Sequence, residues 1–264
     1  MKVSYSRIST FKQCPYQYYL KYIKGLKTKF NLDPKNALAL GTAAHTGIEK
    51  NDAAEAIKNY YSNYPTATEA MVNEAIKLEM VINKANSVLP RGEYETNIVD
   101  DDFTGFIDLL VKVDENTFDL YDFKYSNNVK NYLGSAQLHL YKFYFEKLNQ
   151  GKHIRNMFFV FIPKVNLKQE EEEDVEAYRK RLVDECAKQE IKIVKVDYDA
   201  NKVIGFLLDT KHCVECKEFN KNPSSFCFFC DFKQYCTSNG KNDGNIIYPE
   251  EEIEDQQKRE KQNT

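Results

Sequence analysis

Residues 104–124, TGFIDLLVKVDENTFDLYDFK, constrain the fold more than any other stretch, because they read as two strands joined by a tight turn. Phe106, Ile107, Leu109, Leu110, Val111 and Val113 form a strand-like apolar run. Asp114, Glu115 and Asn116 supply turn residues, and Phe118, Leu120, Tyr121 and Phe123 resume the pattern. Asp108 interrupts the first run. Asp122 and Lys124 close the second and, two residues apart on a strand, face the same side. Antiparallel pairing about the turn would set Asp108 near Asp122. A carboxylate among apolar strand residues is costly unless it is paired or holds a cation. Taken alone, D-x-K also fits two surface aspartates at strand ends, with Lys124 paired to Asp122.

The rest of the chain alternates between helical and strand periods. Helices are expected over 4–23, 36–62, 67–88, 131–150, 170–189 and 199–219, and strands over 95–99, 154–162 and 191–198. Cys14-Pro15 should kink or restart the first helix, since proline disfavours helix at the residue before it. In the second helix, Gly41 and its small neighbours would admit another backbone closely, and His45 follows one turn later. Gln137 and Tyr141 share one helix face, being four residues apart. The last strand, alternating apolar residues with Lys, suits a sheet edge. Together these elements predict an α/β fold with a mixed central sheet flanked by helices.

No apolar run is long enough to span a membrane and no signal-peptide core opens the chain, so a cytoplasmic location is expected. The net charge of −3 hides an uneven distribution. Residues 1–32 hold Lys2, Arg7, Lys12, Lys21, Lys24, Lys27 and Lys29 with no acid, interleaved with Tyr16, Tyr18, Tyr19 and Tyr22. Such a pattern suits phosphates and bases, and equally a solvated face over a tyrosine-rich core. The acids gather in 170–176 and beyond Glu250. Residues 1–240 are expected to form one domain, and 241–264 a loose acidic tail.

Of seven cysteines, six lie in the C-terminal third, and in a reducing compartment such crowding points to metal or cluster ligation. One grouping takes Cys213, Cys216, Cys227 and Cys230 as a zinc site. The other takes Cys227, Cys230 and Cys236 with a distant fourth thiolate from Cys14, as an iron–sulfur cluster needs, shielded by Phe226, Phe228, Phe229 and Phe232. The residues alone leave both open.

In order, Ser6-Arg7-Ile8, Phe11, Cys14-Pro15, Tyr18, Gly41-x3-His45, Gly105-x-Ile-Asp108, Asp122-x-Lys124, Gln137-x3-Tyr141 and Cys227-x2-Cys230-x5-Cys236 resemble the RecB-type branch of the PD-(D/E)XK nucleases. The resemblance is strongest to its iron–sulfur members, which include CRISPR-associated exonucleases, helicase–nuclease domains and phage-encoded enzymes. It covers about residues 4–236. It implies a restriction-endonuclease-like core with the C-terminal cysteine segment closing on the N-terminal helix. It also implies Mg²⁺ or Mn²⁺ on His45, Asp108, Asp122 and the Phe123 carbonyl, and Lys124 acting on the attacking water. Gln137, Tyr141 and Arg7 would meet substrate. A 4Fe–4S staple would sit on Cys14, Cys227, Cys230 and Cys236, leaving Cys186, Cys213 and Cys216 as ordinary helix residues. Glu95 could lie near the metal but no motif assigns it, and Tyr125-Ser126 stands where relatives more often carry a small hydroxyl residue directly after the lysine.

The activity so implied is metal-dependent DNA exonuclease action at single strands or ends, in recombination, repair or phage DNA processing, with any unwinding left to a partner helicase or recombination protein. A non-catalytic module binding DNA ends or a partner, and a zinc-stapled nuclease, are the alternatives.

Overall fold

The computed structural model describes residues 2–249. In chain order the elements are α1 (Tyr5–Gln13), α2 (Pro15–Tyr18), β1 (Lys27–Thr28), α3 (Ala37–Glu49), α4 (Ala53–Tyr61), α5 (Glu69–Val88), β2 (Glu93–Val99), β3 (Thr104–Lys112) and β4 (Thr117–Tyr125). They continue with α6 (Val129–Leu133), α7 (Gln137–Leu148), β5 (His153–Ile162), α8 (Val175–Lys188), β6 (Lys192–Val196), α9 (Ala200–Glu215), α10 (Lys233–Thr237) and β7 (Ile246–Ile247). The chain forms two compact units, one from Leu32–Val203 and one from the segments before and after it.

The Leu32–Val203 unit is built on a five-stranded mixed sheet of order β2-β3-β4-β5-β6. Its β2, β3 and β4 are antiparallel, β4 and β5 run parallel, and β6 closes the edge antiparallel to β5. The expected hairpin is therefore present, with Leu109 opposite Tyr121 and Leu110 opposite Leu120. Continuing this register by one step sets Asp108 opposite Asp122.

Strand alternation sorts the side chains between two faces. Leu109, Phe123, Tyr125, Val160 and Ile162 share a core with Ala43, Ala44 and Ile48 of α3, Tyr60 of α4, and Leu78 and Ile82 of α5. On the opposite face, Phe118 meets Phe145 of α7 edge to face, with centroids 5.5 Å apart. Burial of these large side chains, worth about 1.5–3 kcal/mol each, holds the strand ends rigid.

Several expected elements are divided. The helix anticipated over 36–62 breaks at Asn51, which adopts φ 54°. Asp52 then caps α4 by accepting from Ala54 N at 2.8 Å. A left-handed Asn followed by an Asp cap ends one helix and starts another. The helix anticipated over 131–150 likewise splits into α6 and α7 around Gly134–Ala136. Gly41 does not mediate a close approach, since a Cβ there would meet nothing within 4 Å. That role falls to Gly47, where a Cβ would lie 2.7 Å from Ala56 Cβ and 2.9 Å from Ile82 Cγ2.

In the other unit, α1 stops at Cys14, whose φ of −157° and ψ of 107° are extended, as a residue before proline prefers. Its N–H still closes α1 on Thr10 O at 2.9 Å, and Pro15 opens α2. Tyr19–Ile23 continues as a π-helical turn. Residues from the two ends of the sequence meet directly here. Tyr16 N donates to Asn220 O at 3.1 Å, and Asn222 Nδ2 donates to Gln13 O at 2.9 Å. Phe11, Tyr18 and Phe219 pack their rings together, and Lys12 pairs with Asp209 at 2.6 Å. The polar stretch after Gly240 is not loose throughout, because Lys27 and Thr28 of β1 pair with Ile247 and Ile246 of β7. Burial of Ile246 with Leu20, Leu26 and Phe232 supplies the reason. The remainder of the anticipated tail, from residue 250, lies outside the described residues.

Candidate active site

Two helices and three strands aim their polar side chains at one place in the Leu32–Val203 unit. β4 delivers Asp122 and Lys124 at its carboxyl end, beside the parallel β5, the edge of a sheet where ligands collect. β3 delivers Asp108, α3 delivers His45, β2 delivers Glu95, and α7 delivers Gln137 and Tyr141.

His45 Nε2 lies 3.1 Å from the Phe123 carbonyl oxygen, and its Nδ1 lies 3.6 Å from Asp108 Oδ1. The Phe123 N–H donates to Asp108 Oδ2 at 2.6 Å, so Asp108 is anchored across the hairpin by the backbone of the D-x-K segment. Asp122 is 1% exposed. Its Oδ2 lies 2.5 Å from Lys124 Nζ, and its Oδ1 is buried with no hydrogen-bond partner. The rings of Tyr132 and Phe159 flank the lysine ammonium at 5.5 and 5.8 Å. An apolar frame of this kind holds the charge in place and keeps bulk water from screening it.

The electrostatics follow from this crowding. Burial raises the Asp108 carboxyl well above its ordinary value, and the Asp122 charge adds to the effect against the pull of Lys124 and the Phe123 N–H. Burial lowers His45, with Asp122 opposing it and Lys124 assisting. Burial also works against the charged Lys124, but Asp122 and Asp108 outweigh it and raise the lysine. Tyr141 is raised by burial and by the Asp122 charge, so its hydroxyl stays protonated. Gln137 Nε2 donates to Tyr141 Oη at 2.9 Å, which leaves the hydroxyl proton to be directed elsewhere. Gly105 makes room for this ring, since a Cβ there would lie 2.8 Å from Tyr141 Cε1.

Among the described residues, the group whose ligand atoms all lie within 4.8 Å of one another is His45, Glu95 and Asp108. Glu95 was expected only to lie near the metal, because it belongs to no motif that assigns it a role. The only signal was an acid in the strand that precedes Asp108. Asp122 stands against Lys124 instead, with its second oxygen unpartnered. An imidazole nitrogen and hard carboxylate oxygens fit Mn²⁺ and Mg²⁺, and the orphaned Asp122 Oδ1 is the kind of buried atom a cation would satisfy.

Arg7, expected to touch substrate, lies in the other unit over the rings of Tyr22 and Tyr18, at 4.9 and 5.7 Å. The four cysteines named with it also lie there. Cys14, Cys227, Cys230 and Cys236 line one cavity of ≈ 180 Å³ together with Leu20 and Phe232. Burial raises the Cys230 and Cys236 thiols. Cys213 is buried, where Tyr18 shares a hydrogen bond with it, and Cys216 donates to Glu218 O at 3.2 Å. Cys186 is buried between α8 and α5 with Tyr178 and Leu182. The expected aromatic shield is present only in part: Phe232, 4% exposed, and Phe226, 56% exposed, line the cysteine cavity, whereas Phe228 and Phe229 do not line it and are 75 and 79% exposed.

The family model of the PD-(D/E)XK nuclease superfamily matches residues 2–237. The chain belongs to the PD-(D/E)XK nuclease superfamily. The five-stranded mixed sheet flanked by helices is the core of that fold. No curated protein matches the chain. The crystal structure of a candidate exonuclease from Eubacterium rectale is similar over 86% of this chain and 92% of its own, at 12% identity and a TM-score of 0.47.

Proposed function

We propose that this PD-(D/E)XK nuclease hydrolyses DNA phosphodiester bonds with Mg²⁺ or Mn²⁺, acting as an exonuclease on single strands or ends. The observation that carries this reading is the convergence of His45, Asp108 and Glu95 beside the buried Asp122–Lys124 pair. A divalent ion bound there would supply Lewis acidity towards the phosphate and lower the pKa of water. His45, Asp108 and Asp122 hold the donor atoms, and the Phe123 carbonyl adds an oxygen beside His45. The Lys124 ammonium orients the attacking water and offsets negative charge developing on the phosphorus oxygens. Tyr141, kept protonated and held by Gln137, donates its hydroxyl hydrogen to a phosphate oxygen or to the water.

In the other unit, Cys14, Cys227, Cys230 and Cys236 line one cavity, which supports reading them as the residues that would hold a 4Fe–4S cluster. Bound there, the cluster would tie the N-terminal helical segment to the C-terminal cysteine segment and would stabilise that unit without entering the reaction. Duplex unwinding falls to a partner helicase or recombination protein, and the setting is the cytoplasm, in recombination, repair or phage DNA processing.

The test is release of nucleotides from end-labelled single-stranded DNA with Mn²⁺, alongside circular and end-blocked substrates. Activity on free ends that disappears in Asp108→Ala and Lys124→Ala supports the proposal. Binding of DNA ends without cleavage by the wild type would sink it.

A further inference from the structure

We propose that Glu95 is a fourth side-chain ligand of the divalent cation, held by backbone strain in the position that completes the cage; this rests on the metal-dependent reading above. Glu95 adopts φ 52°, in the left-handed region that L side chains avoid. Two other described residues besides glycine do so, Asn51 and Asn239. Asparagine tolerates this conformation because its short amide bonds locally, and glutamate has no such excuse. Non-glycine residues in this region persist where the surroundings over-determine them, which is most often at functional sites.

The strand register shows what the conformation achieves. β2 pairs with β3 from Tyr94 opposite Leu109 to Thr96 opposite Ile107, so Glu95 stands at the position facing Asp108. There its carboxylate comes within 4.8 Å of ligand atoms of both Asp108 and His45. Among the described residues the Glu95 carboxylate forms no ion pair with a lysine or arginine, and the charges that act on it are those of His45, Glu49 and Asp122. The cluster thus brings a third carboxylate towards Asp108 and Asp122, against a single ammonium from Lys124. Asp122 Oδ1, buried and unpartnered, is a second and independent sign that a cation belongs among these oxygens. A glutamate here serves hard divalent ions that accept six or more oxygen-rich contacts. It leaves the imidazole and one backbone carbonyl as the remaining protein donors.

The test measures metal binding rather than catalysis. Mn²⁺ is titrated into the full-length wild type, Glu95→Gln, Glu95→Gly and Asp108→Asn, with free Mn²⁺ counted by room-temperature EPR. Thermal unfolding is followed with and without Mn²⁺. Glu95→Gln should weaken binding by at least the tenfold that loss of even an outer partner of a metal site costs. Glu95→Gly should unfold at a temperature no lower than wild type when metal-free, because glycine accepts the left-handed conformation, yet gain little from Mn²⁺. If both variants keep the wild-type Kd while Asp108→Asn loses binding, Glu95 is not a ligand and the metal site stands without it. If the wild type itself binds no Mn²⁺, this inference and the metal-dependent function fall together.

Discussion

Replacing Lys124 with methionine isolates the electrostatic heart of the site. Methionine retains an apolar stem to lie between Tyr132 and Phe159, and removes only the ammonium. Asp122 then keeps a carboxylate that is 1% exposed, with Oδ1 already lacking a partner and Oδ2 deprived of its contact at 2.5 Å. Removing one member of a buried ion pair costs about 3–5 kcal/mol, most of it the penalty of the charge left behind. Each kcal/mol moves the Tm of a domain of 150–250 residues by about 2–4 °C, so the drop should be roughly 6–20 °C in EDTA. Asp122→Asn/Lys124→Met removes both charges and should recover most of that loss. The double-mutant cycle therefore closes with a strong favourable coupling. Mn²⁺ at about 100 times its Kd adds about 2.7 kcal/mol to any variant that still binds it. Equilibrium urea unfolding and thermal scans of the four proteins in EDTA provide the measurement. A Lys124→Met protein that unfolds at the wild-type midpoint, or single-variant effects that simply add, would refute the picture of a buried, mutually dependent pair.

Three further outcomes are expected. Burial lowers the pKa of His139, with Asp199 opposing and Lys202 assisting, and its Nδ1 accepts from Asp199 N at 3.1 Å. The unfolded chain therefore binds the proton more readily, and this contribution to stability is complete above about pH 6.5 and lost as the pH falls through the folded value. His139→Gln should flatten the fall in stability on acidification in EDTA, leaving the part due to His45, which is depressed in the same sense. Gly105→Ala would force a Cβ to within 2.8 Å of Tyr141 Cε1 and 3.2 Å of Phe103 Cε1. Overpacking of that kind costs about 1–3 kcal/mol, and displacement of Tyr141 should lower nuclease activity, as Tyr141→Phe should while leaving the packing intact. Cys14→Ser should remove visible absorbance and bound iron from anaerobically purified protein and lower its Tm; an unchanged spectrum and iron content would exclude Cys14 as a cluster ligand.

Much of the site was legible because its residues sit in strongly patterned elements. Asp108 interrupts an apolar strand, and Asp122 and Lys124 obey the two-residue strand period. Their pairing across a short turn needs no distant information. Gln137 and Tyr141 are one helical turn apart, and the structure joins them by a hydrogen bond. The divided helices were less visible. The Asn51-Asp52 step carries a stop and a cap within an apolar period that continues on both sides, and the period masked it. The exposed Phe228 and Phe229, on the short turn 225–229, departed from the expectation that aromatic residues near cysteines turn inward, while Phe226 and Phe232 met it by lining the cavity.

Local residue patterns were enough to specify the hairpin, the main helical and strand segments, and the chemical types available to the site, since these depend on local period and turn chemistry. Long-range packing alone set Glu95 opposite Asp108, turned one Asp122 oxygen to Lys124 while leaving the other bare, and made Gly47 rather than Gly41 the glycine that admits a neighbouring helix. Those outcomes depend on strand register, a left-handed backbone angle and packing between elements distant in the chain, and no local pattern of residues encodes them.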